Sequence, residues 1–414
     1  MDTTRSKKLH IGILASPGMG HLLPVLVLGN RLSTEFNVKV TVLAITEVPT
    51  VQNLGLEAEL ADFDVLQIPP VDISHLIDAN TKLSTRIRIM VSEALPGLRS
   101  AISGMKDLPE ILICDLFCTK AFPVANEFNM RKYLYVATNA WYTALQAYTP
   151  VLHKQIDGQY VDHTQPLKIP GCKSVRPEEV NDAMLDRNDP RYEGYLQAAT
   201  DFGLADGILV NTWEDLEPVT LEAFRENESL RKVLCDTAVY PIGPLTRRPR
   251  ESDGIDDRSL MMMEWLDKQP SESVLFVSFG SGGTLSAQQL TELAFGLELS
   301  QQRFIWVVRP PARMANGSFF TVTQGDEPLD YYYLPQGFLT RTKNTGWIKV
   351  VDRKEIEEMV RFIMESEEGM VIRDRVKQLK VNGEGAISKG GSSYNSMNDF
   401  LKDAHMRLIK SLSV

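Results

Sequence analysis

The sequence predicts an α/β fold in two halves, each built around a parallel β-sheet. Short apolar runs suited to buried strands alternate with segments of helical periodicity along the 414-residue chain. A stretch of mostly Arg, Pro, Glu, Ser and Asp over residues 246–257 has almost no apolar content and divides the two halves. Strands that alternate with helices are typical of parallel sheets with right-handed crossovers, so we expect one such sheet in each half of the chain.

Five apolar runs of the first half are predicted strands. They cover residues 8–15, 38–45, 111–114, 132–136 and 207–211. A turn with Pro17 and Gly18 follows the first strand and leads into a helix predicted for residues 22–32. We predict that residues 1–243 form the first domain and that residues 244–258 form a linker.

The second half, residues 259–414, contains fewer strands. Strands are predicted at residues 274–279 and 304–308, and a third, short strand is predicted at residues 347–351. A helix is predicted for residues 287–298, and the rest of the chain after the third strand has helical periodicity only. Because a doubly wound half-sheet normally has five or six strands, we expect this domain to be incomplete.

Composition and charge exclude several classes of function. The net charge of −10 argues against a nucleic acid or an anionic membrane as partner, and no run of 18 apolar residues could span a bilayer. The six histidines are scattered, without the spacing of a metal site. The four cysteines form no CxxC pair, which fits free thiols in a reducing compartment. We therefore expect a cytoplasmic protein without a metal.

Two polar residues follow predicted strands of the first sheet. His21 ends the turn after the first strand, and Asp115 is the first polar residue after the strand at residues 111–114. Ligands of open parallel sheets bind at the carboxyl ends of strands, where these two side chains can meet. A carboxylate that holds one ring nitrogen of a histidine prepares the other nitrogen to accept a proton. The alternatives are a solvated histidine in a tight turn and an aspartate that caps a helix.

A glycine-rich turn in the second half is a candidate phosphate site. Ser281, Gly282 and Gly283 lie between a predicted strand and a predicted helix, where backbone N–H groups can bind a phosphate. A plain strand-to-helix turn is an equal alternative. The turn matches neither a dinucleotide fingerprint nor a Walker loop, which argues against a nicotinamide-dependent oxidoreductase.

Nine short segments match the motifs of a single protein family, in the same order along the chain. They are residues 16–24, 114–117, 169–172, 207–212, 240–245, 264–269, 277–284, 304–309 and 334–338. Together they resemble the plant UDP-sugar-dependent glycosyltransferases, which are inverting enzymes with two Rossmann-like domains of the GT-B type. The resemblance is densest to the branch that glucosylates hydroquinone-like and monolignol-like phenols. It implies a monomeric enzyme that takes UDP-glucose as donor substrate and a small phenol as acceptor, with no cofactor.

The resemblance implies roles for the candidate catalytic and phosphate-binding residues. His21 would be the base that removes the proton of the acceptor hydroxyl, and Asp115 would orient His21 and balance its charge. Ser281, Gly282 and Gly283 would hold the diphosphate of the donor. The acceptor oxygen would then attack the anomeric carbon of the sugar and displace UDP with inversion.

Three further residues are implied in acceptor binding. Gly18 lies in the turn before His21, where a glycine lets the backbone approach a substrate closely. Asn139 and Trp141 lie where the acceptor pocket and the sugar site of the family meet. Core packing is the alternative role for Trp141.

The donor-binding block of the family is missing from this sequence. In the family the block begins at Trp-Ala-Pro-Gln and continues through His-Cys-Gly-Trp-Asn-Ser to an acidic-Gln pair, and none of these segments occurs here. Residues 344–346 match the family just before the block and residues 351–356 match it well after, which places the join near Trp347. The loss implies that UDP-sugar binds weakly or not at all. The alternative function is therefore a catalytically inactive protein that binds a small phenol.

Overall fold

The computed structural model describes residues 8–45, 63–69, 71–78, 81–246, 257–279, 285–308, 335, 338 and 353–412. Contacts within the chain divide it into two units. The first unit comprises Met1–Arg247 and Val381–Val414, and the second comprises Arg248–Lys380.

Parallel strands form the centre of the first unit. They are β1 (His10–Ala15), β2 (Lys39–Ile45), β3 (Asp64–Ile68), β4 (Ile111–Asp115), β5 (Arg131–Val136), β6 (Gly207–Val210) and β7 (Ala238–Pro241). They pair in the order β3-β2-β1-β4-β5-β6-β7, with every pair parallel. The predicted α/β fold with a parallel sheet is thereby confirmed for this unit.

The helices lie between the strands and after them. In the first unit they are α1 (Met19–Phe36), α2 (Leu83–Ser103), α3 (Phe122–Glu127), α4 (Ala140–Gln155), α5 (Pro190–Asp201), α6 (Pro218–Glu226) and α7 (Glu228–Val233). The second unit has α8 (Asp257–Asp267), α9 (Ala287–Ser300) and α10 (Arg353–Glu365). Two C-terminal helices follow, α11 (Glu367–Ile387), which runs across the division, and α12 (Ser392–Leu412). No helix in the described part of the chain is long and apolar enough to cross a membrane.

The five strands predicted in the first half are present, with ends within two residues of the predicted ones. β3 and β7 are not among the predicted strands. The sequence of β3 is DVLQI and that of β7 is AVYP, so one is interrupted by polar residues and the other ends in proline. Both are edge strands, where burial is lower and a proline is tolerated, so the apolar signal of the sequence is weak.

The direction in which the chain builds the sheet reverses between β1 and β4. From β1 the chain continues through β2 to the edge strand β3, then returns to β4 and builds the other side. β1 and β4 pair side by side, with Leu14 opposite Cys114. In open parallel sheets the loops after two such strands diverge, so the crevice expected for a ligand lies at the carboxyl ends of β1 and β4.

One face of the sheet packs against α1 and α12. Alternate residues of each strand, such as Ile11 and Ile13 of β1, belong to one buried cluster with apolar residues of both helices. The ring of Phe400 in α12 lies 4.8 Å from that of Tyr133 and 5.9 Å from that of Tyr240. Burial of these apolar side chains holds the C-terminal helix on the sheet.

The position of α12 differs from the predicted domain organisation. The predicted second domain, residues 259–414, includes this helix, whereas the structure packs it on the first unit. The cause is its apolar face, together with a hydrogen bond of 2.6 Å that the Tyr240 hydroxyl donates to Asp403 Oδ2.

The second unit contains a smaller sheet. In the described residues it consists of β8 (Val274–Val277) and β9 (Arg303–Trp306), which are parallel. One face packs on a cluster formed with α9 and α10, which includes Leu290, Leu293, Leu297, Phe304, Trp306 and Val360. Both strands occupy the predicted places. The predicted third strand at residues 347–351 and most of the predicted linker lie outside the described residues.

Candidate active site

A tight turn joins β1 to α1 and places His21 at the start of the helix. Gly18 precedes the helix with a φ of 112°, a left-handed backbone conformation that favours glycine. Its carbonyl oxygen accepts hydrogen bonds of 3.0 Å from the N–H groups of His21 and Leu22. This position of Gly18 fits the close backbone turn expected from the sequence and fixes His21 in the first turn of α1.

Asp115 is the last residue of β4, and three donors hold its carboxylate. Its Oδ2 accepts hydrogen bonds from the Ser16 N–H at 2.7 Å and from the Ser16 hydroxyl at 2.5 Å. Its Oδ1 accepts a hydrogen bond of 2.9 Å from the N–H of Phe117. A buried carboxylate needs such partners, and these bonds fix its orientation at the end of the strand.

The two candidate catalytic residues lie together. Nδ1 of His21 is 3.9 Å from Oδ2 of Asp115. The side chain of His21 is 30% exposed and that of Asp115 is 7% exposed, so solvent reaches the histidine whereas the aspartate is buried. Within the described residues, Nε2 of His21 has no hydrogen-bond partner. The pair therefore has the arrangement of a base whose inner nitrogen faces a carboxylate and whose outer nitrogen can take a proton.

Aromatic and cationic side chains adjoin the pair. The ring of Phe117 lies edge-on to the His21 ring, with centroids 5.0 Å apart and an angle of 82° between the planes. The guanidinium carbon of Arg88, on α2, lies 5.8 Å from the centroid of the Phe117 ring. Neither Phe117 nor Arg88, nor the partnership of Ser16 with Asp115, is expected from the sequence. These contacts are visible only in the structure, because the residues that make them are distant in the sequence. Ser16 and Asp115, for example, are 99 residues apart.

The predicted acceptor-binding residues Asn139 and Trp141 begin α4, directly after β5. Since β5 pairs with β4, they lie at the same edge of the sheet as Asp115. Asn139 is exposed and caps the helix, because its side-chain oxygen accepts a 2.8 Å hydrogen bond from the N–H of Tyr142. Trp141 is half-buried. Asn is a favoured N-cap residue, so its position just before the helix is a sequence signal for this cap.

The start of α4 has a second partner, Glu217. Its carboxylate accepts hydrogen bonds from the N–H groups of Ala140 at 2.7 Å and Trp141 at 2.9 Å, and from the hydroxyl of Thr212 at 2.6 Å. A negative charge at a helix N-terminus is favourable and satisfies donors that the helix itself leaves free. Glu217 therefore fixes the position of Trp141 at the start of α4.

The candidate phosphate-binding residues Ser281, Gly282 and Gly283 lie outside the described residues. The helix that follows them, α9, begins with a capping box. Ser286 Oγ accepts a hydrogen bond from the N–H of Gln289, whose side chain accepts one from the N–H of Ser286.

Metal ligands and thiol nucleophiles find no support at this site. In the part of the chain that the structure describes, no group of three or more His, Cys, Asp or Glu side chains could hold a metal ion. Burial raises the pKa of the Cys114 and Cys118 thiols well above their usual value, which keeps both as inert thiols at neutral pH.

Similar proteins agree on one family. No protein-family model matches the chain. Anthocyanidin 3-O-glucosyltransferase 5 of Manihot esculenta is 39% identical over 473 aligned positions, which cover 96% of this chain and 96% of that protein. UDP-glycosyltransferase 72D1 of Arabidopsis thaliana is 36% identical, with 96% and 99% covered. Hydroquinone glucosyltransferase of Rauvolfia serpentina is 39% identical, with 81% and 70% covered.

Solved structures share the fold. The crystal structure of TcCGT1 in complex with UDP superposes with a TM-score of 0.85 at 36% identity, covering 97% of this chain and 100% of that one. A UDP-glucosyltransferase from Polygonum tinctorium, capable of glucosylating indoxyl and solved with 3,4-dichloroaniline, gives a TM-score of 0.83 at 27% identity, with 97% and 100% covered. By its sequence, its fold and the crevice after β1 and β4, this chain belongs to the plant UDP-glycosyltransferase family.

Proposed function

We propose that this chain is built to transfer glucose from UDP-glucose to the hydroxyl group of a small phenol, with His21 as the base. The observation that carries the proposal is the His21–Asp115 pair at the carboxyl ends of β1 and β4, with one imidazole nitrogen facing the carboxylate. The names of the relatives support the acceptor class, since they include a hydroquinone and an anthocyanidin glucosyltransferase. The solved relative with bound UDP supports the donor.

The proposed reaction is a single displacement. Nε2 of His21 takes the proton of the acceptor hydroxyl while the acceptor oxygen forms a bond to the anomeric carbon of glucose. The bond between that carbon and the diphosphate oxygen breaks, and UDP leaves with the electron pair. Attack from the opposite face inverts the configuration. Asp115 stabilises the imidazolium at Nδ1, and the Ser16 hydrogen bonds hold Asp115 in place.

We propose that Ser281, Gly282 and Gly283 contact the donor diphosphate, and that Gly18, Asn139 and Trp141 border the acceptor. The second group lies at the amino ends of α1 and α4, directly after β1 and β5, on the edge of the sheet that carries the His21–Asp115 pair, which supports this role. For the first group the support is the resemblance of the turn alone.

The competence of this chain depends on the donor-binding block that the sequence lacks. The alignment with the Manihot esculenta relative spans 473 positions, whereas 96% of this 414-residue chain is about 397 residues, so about 75 positions of the relative lie opposite gaps. Loss of an aromatic stack and several charge-assisted hydrogen bonds, each contributing about 1.5–3 kcal/mol, weakens donor binding by several orders of magnitude.

The second candidate function is a catalytically inactive protein that binds a small phenol. The observation that favours it is the contrast between the first unit, whose sheet and His21–Asp115 pair are intact, and the second, with its short described sheet. Isothermal calorimetry with UDP and with hydroquinone separates the two functions. Phenol binding without UDP binding supports the inactive protein, and tight UDP binding contradicts it.

The decisive experiment is an activity assay with mass-spectrometric detection of the glucoside after incubation with UDP-glucose and hydroquinone. The His21→Ala variant removes the proposed base, and His75→Ala removes an exposed histidine as the matched control. Product from the wild type and the control but not from His21→Ala supports the transferase. Product that persists in His21→Ala overturns the role of His21, and a folded wild type without product leaves the binding function.

We further propose that the chain is a cytoplasmic monomer. All four cysteines are free, as expected in a reducing compartment. Light scattering coupled to size exclusion measures the oligomeric state, and a mass of twice the 46.5 kDa of the chain would contradict the monomer.

A further inference from the structure

Arg88 is a half-buried cation that lacks an anionic partner. No hydrogen bond or ion pair of its guanidinium is found among the described residues, whereas Arg86, two residues earlier, donates to the carbonyl oxygens of Thr81 and Asp78. Burial lowers the pKa of Arg88 from its ordinary value. A guanidinium that has lost part of its hydration without gaining a carboxylate is unfavourable, unless a ligand supplies the negative charge.

The surroundings of Arg88 are polar, and the carboxylate among them, that of Asp201, already accepts two hydrogen bonds. The phenol groups of Tyr142 and Tyr195 and the carboxylate of Asp201 interact electrostatically with Arg88. Asp201 is already engaged, because its carboxylate accepts hydrogen bonds of 2.8 Å from Thr119 and from Gln197. The hydroxyl of Tyr195 is buried and interacts with the hydroxyls of Tyr142 and Thr149. Among these groups, the Arg88 guanidinium is the donor that can still pair with a carboxylate.

Arg88 and His21 both adjoin the ring of Phe117. The Phe117 centroid is 5.0 Å from the centroid of the His21 ring and 5.8 Å from the guanidinium carbon of Arg88. The imidazole and the guanidinium are therefore no more than about 11 Å apart. A single aromatic ring with a short carboxylated side chain spans such a distance, so one molecule can present its hydroxyl to His21 and its carboxylate to Arg88.

We propose that Arg88 binds a carboxylate on the acceptor, so that the preferred acceptors of this chain are phenolic acids. The inference rests on the proposed function, since it concerns the same acceptor site. Arg88 is then a specificity-determining residue: it contacts the end of the acceptor remote from the reacting hydroxyl. A planar guanidinium pairs with a carboxylate through two parallel hydrogen bonds, which selects acids over the corresponding alcohols.

A purely structural role for Arg88 predicts a different outcome. Its side chain lies against Gly194 of α5, where an added Cβ would come within 2.5 Å of Nη1. The guanidinium also covers the ring of Phe117. If packing were its only role, removal of the charge would affect stability but would not distinguish an acid from an alcohol.

The test compares two probes that differ only in the carboxylate, 4-hydroxycinnamic acid and 4-hydroxycinnamyl alcohol. Their dissociation constants for the wild-type chain are measured by calorimetry at pH 7 without donor, so the test does not depend on catalysis. We expect the acid to bind roughly 10- to 100-fold more tightly, the range for a hydrogen-bonded charge pair. Arg88→Met should abolish this preference and leave the affinity for the alcohol within about 3-fold of the wild type.

Two further variants keep the test valid if Arg88→Met unfolds. Gly194→Ala displaces the guanidinium without removing its charge, and it should reduce the preference for the acid. Arg99→Met is the matched control: it removes an exposed arginine of the same helix, paired with Glu127, and should leave the preference unchanged.

Each outcome is informative. Equal binding of acid and alcohol by the wild type overturns the role of Arg88 and leaves the proposed function standing. The same preference in Arg88→Met as in the wild type also overturns it. If the folded wild type binds neither probe, the phenolic acceptor site itself is wrong and the inference falls with it.

Discussion

At the scale of single residues, Asp115 depends on Ser16 for two of its three hydrogen bonds. A substitution of Ser16 can remove the hydrogen bond from its hydroxyl but not the one from its backbone N–H. We expect Ser16→Ala to lower the free energy of unfolding by about 1.5–3 kcal/mol, since a buried carboxylate loses a donor. Urea denaturation followed by circular dichroism measures the change.

The control for Ser16 is another serine that makes a local hydrogen bond. Ser100 is exposed and donates only to the Pro96 carbonyl oxygen of its own helix. Ser100→Ala should change the stability by less than about 0.5 kcal/mol. Equal effects of the two substitutions would contradict the view that Ser16 anchors Asp115.

His10 gives the first unit a dependence on pH. It is buried in β1, with Nε2 2.8 Å from the Thr41 hydroxyl. Burial, and next the charge of Lys39, lower the pKa of His10 below its usual value of 6.5. The unfolded chain therefore takes up a proton more readily than the folded chain, so the contribution of His10 to stability is present above pH 6.5 and is lost as the pH falls below it.

We expect the free energy of unfolding to fall more between pH 7.5 and pH 5.5 in the wild type than in His10→Gln, which has no titrating ring. Denaturant unfolding at both pH values measures the difference. His75→Gln, at an exposed histidine, should keep the fall seen in the wild type. The prediction fails if His10→Gln and the wild type lose the same stability.

At the scale of the elements, the strands that the sequence predicts are those with a clear apolar run. β1, β4 and β5 are buried runs, and His21 and Asp115 could be proposed because they directly follow the ends of such runs. The edge strands β3 and β7 lack that signal.

The partners that complete the site were not predictable. They come from distant parts of the chain: Ser16 reaches Asp115 across 99 residues, and Glu217 reaches Ala140 across 77. The same reason explains the placement of α12, because its apolar face is visible in the sequence but the sheet that it covers is not. No period or motif within one element can specify such a partner.

Glu217 links the position of α4 to the site. Because its carboxylate accepts three hydrogen bonds, two from the first N–H groups of the helix, we expect Glu217→Ala to cost about 2–3 kcal/mol of stability. Trp141 should also become more exposed, with a red-shifted fluorescence. Glu214→Ala, which breaks only the exposed pair with Arg225, should cost less than about 1 kcal/mol. A loss from Glu214→Ala as large as that from Glu217→Ala would contradict the assigned cap.

At the scale of the whole molecule, the two units differ in how completely their sheets are covered. In the first unit the strands β1, β2, β4 and β6 are buried on both faces, as parallel sheets normally are. In the second unit Phe304 and Trp306 face the core, but Phe276 on the opposite face is 66% exposed. The proposed internal deletion would account for this contrast, because the helices that cover the second face of such a sheet follow later strands.

The bare face makes the second unit the expected site for a hydrophobic dye. Phe276 pairs in register with Ile305, so their side chains share that face, and Val307, two residues further along, is 44% exposed. We expect native wild-type protein to enhance the fluorescence of anilinonaphthalene sulfonate, and Phe276→Glu to remove most of that enhancement, since a charge breaks the apolar surface and repels the anionic dye. Leu204→Glu, at an exposed leucine of the first unit, introduces the same charge elsewhere and should leave the fluorescence unchanged. Equal fluorescence from the wild type and Phe276→Glu would mean that this face does not bind the dye, and the argument for a missing cover would then rest on the sequence alone.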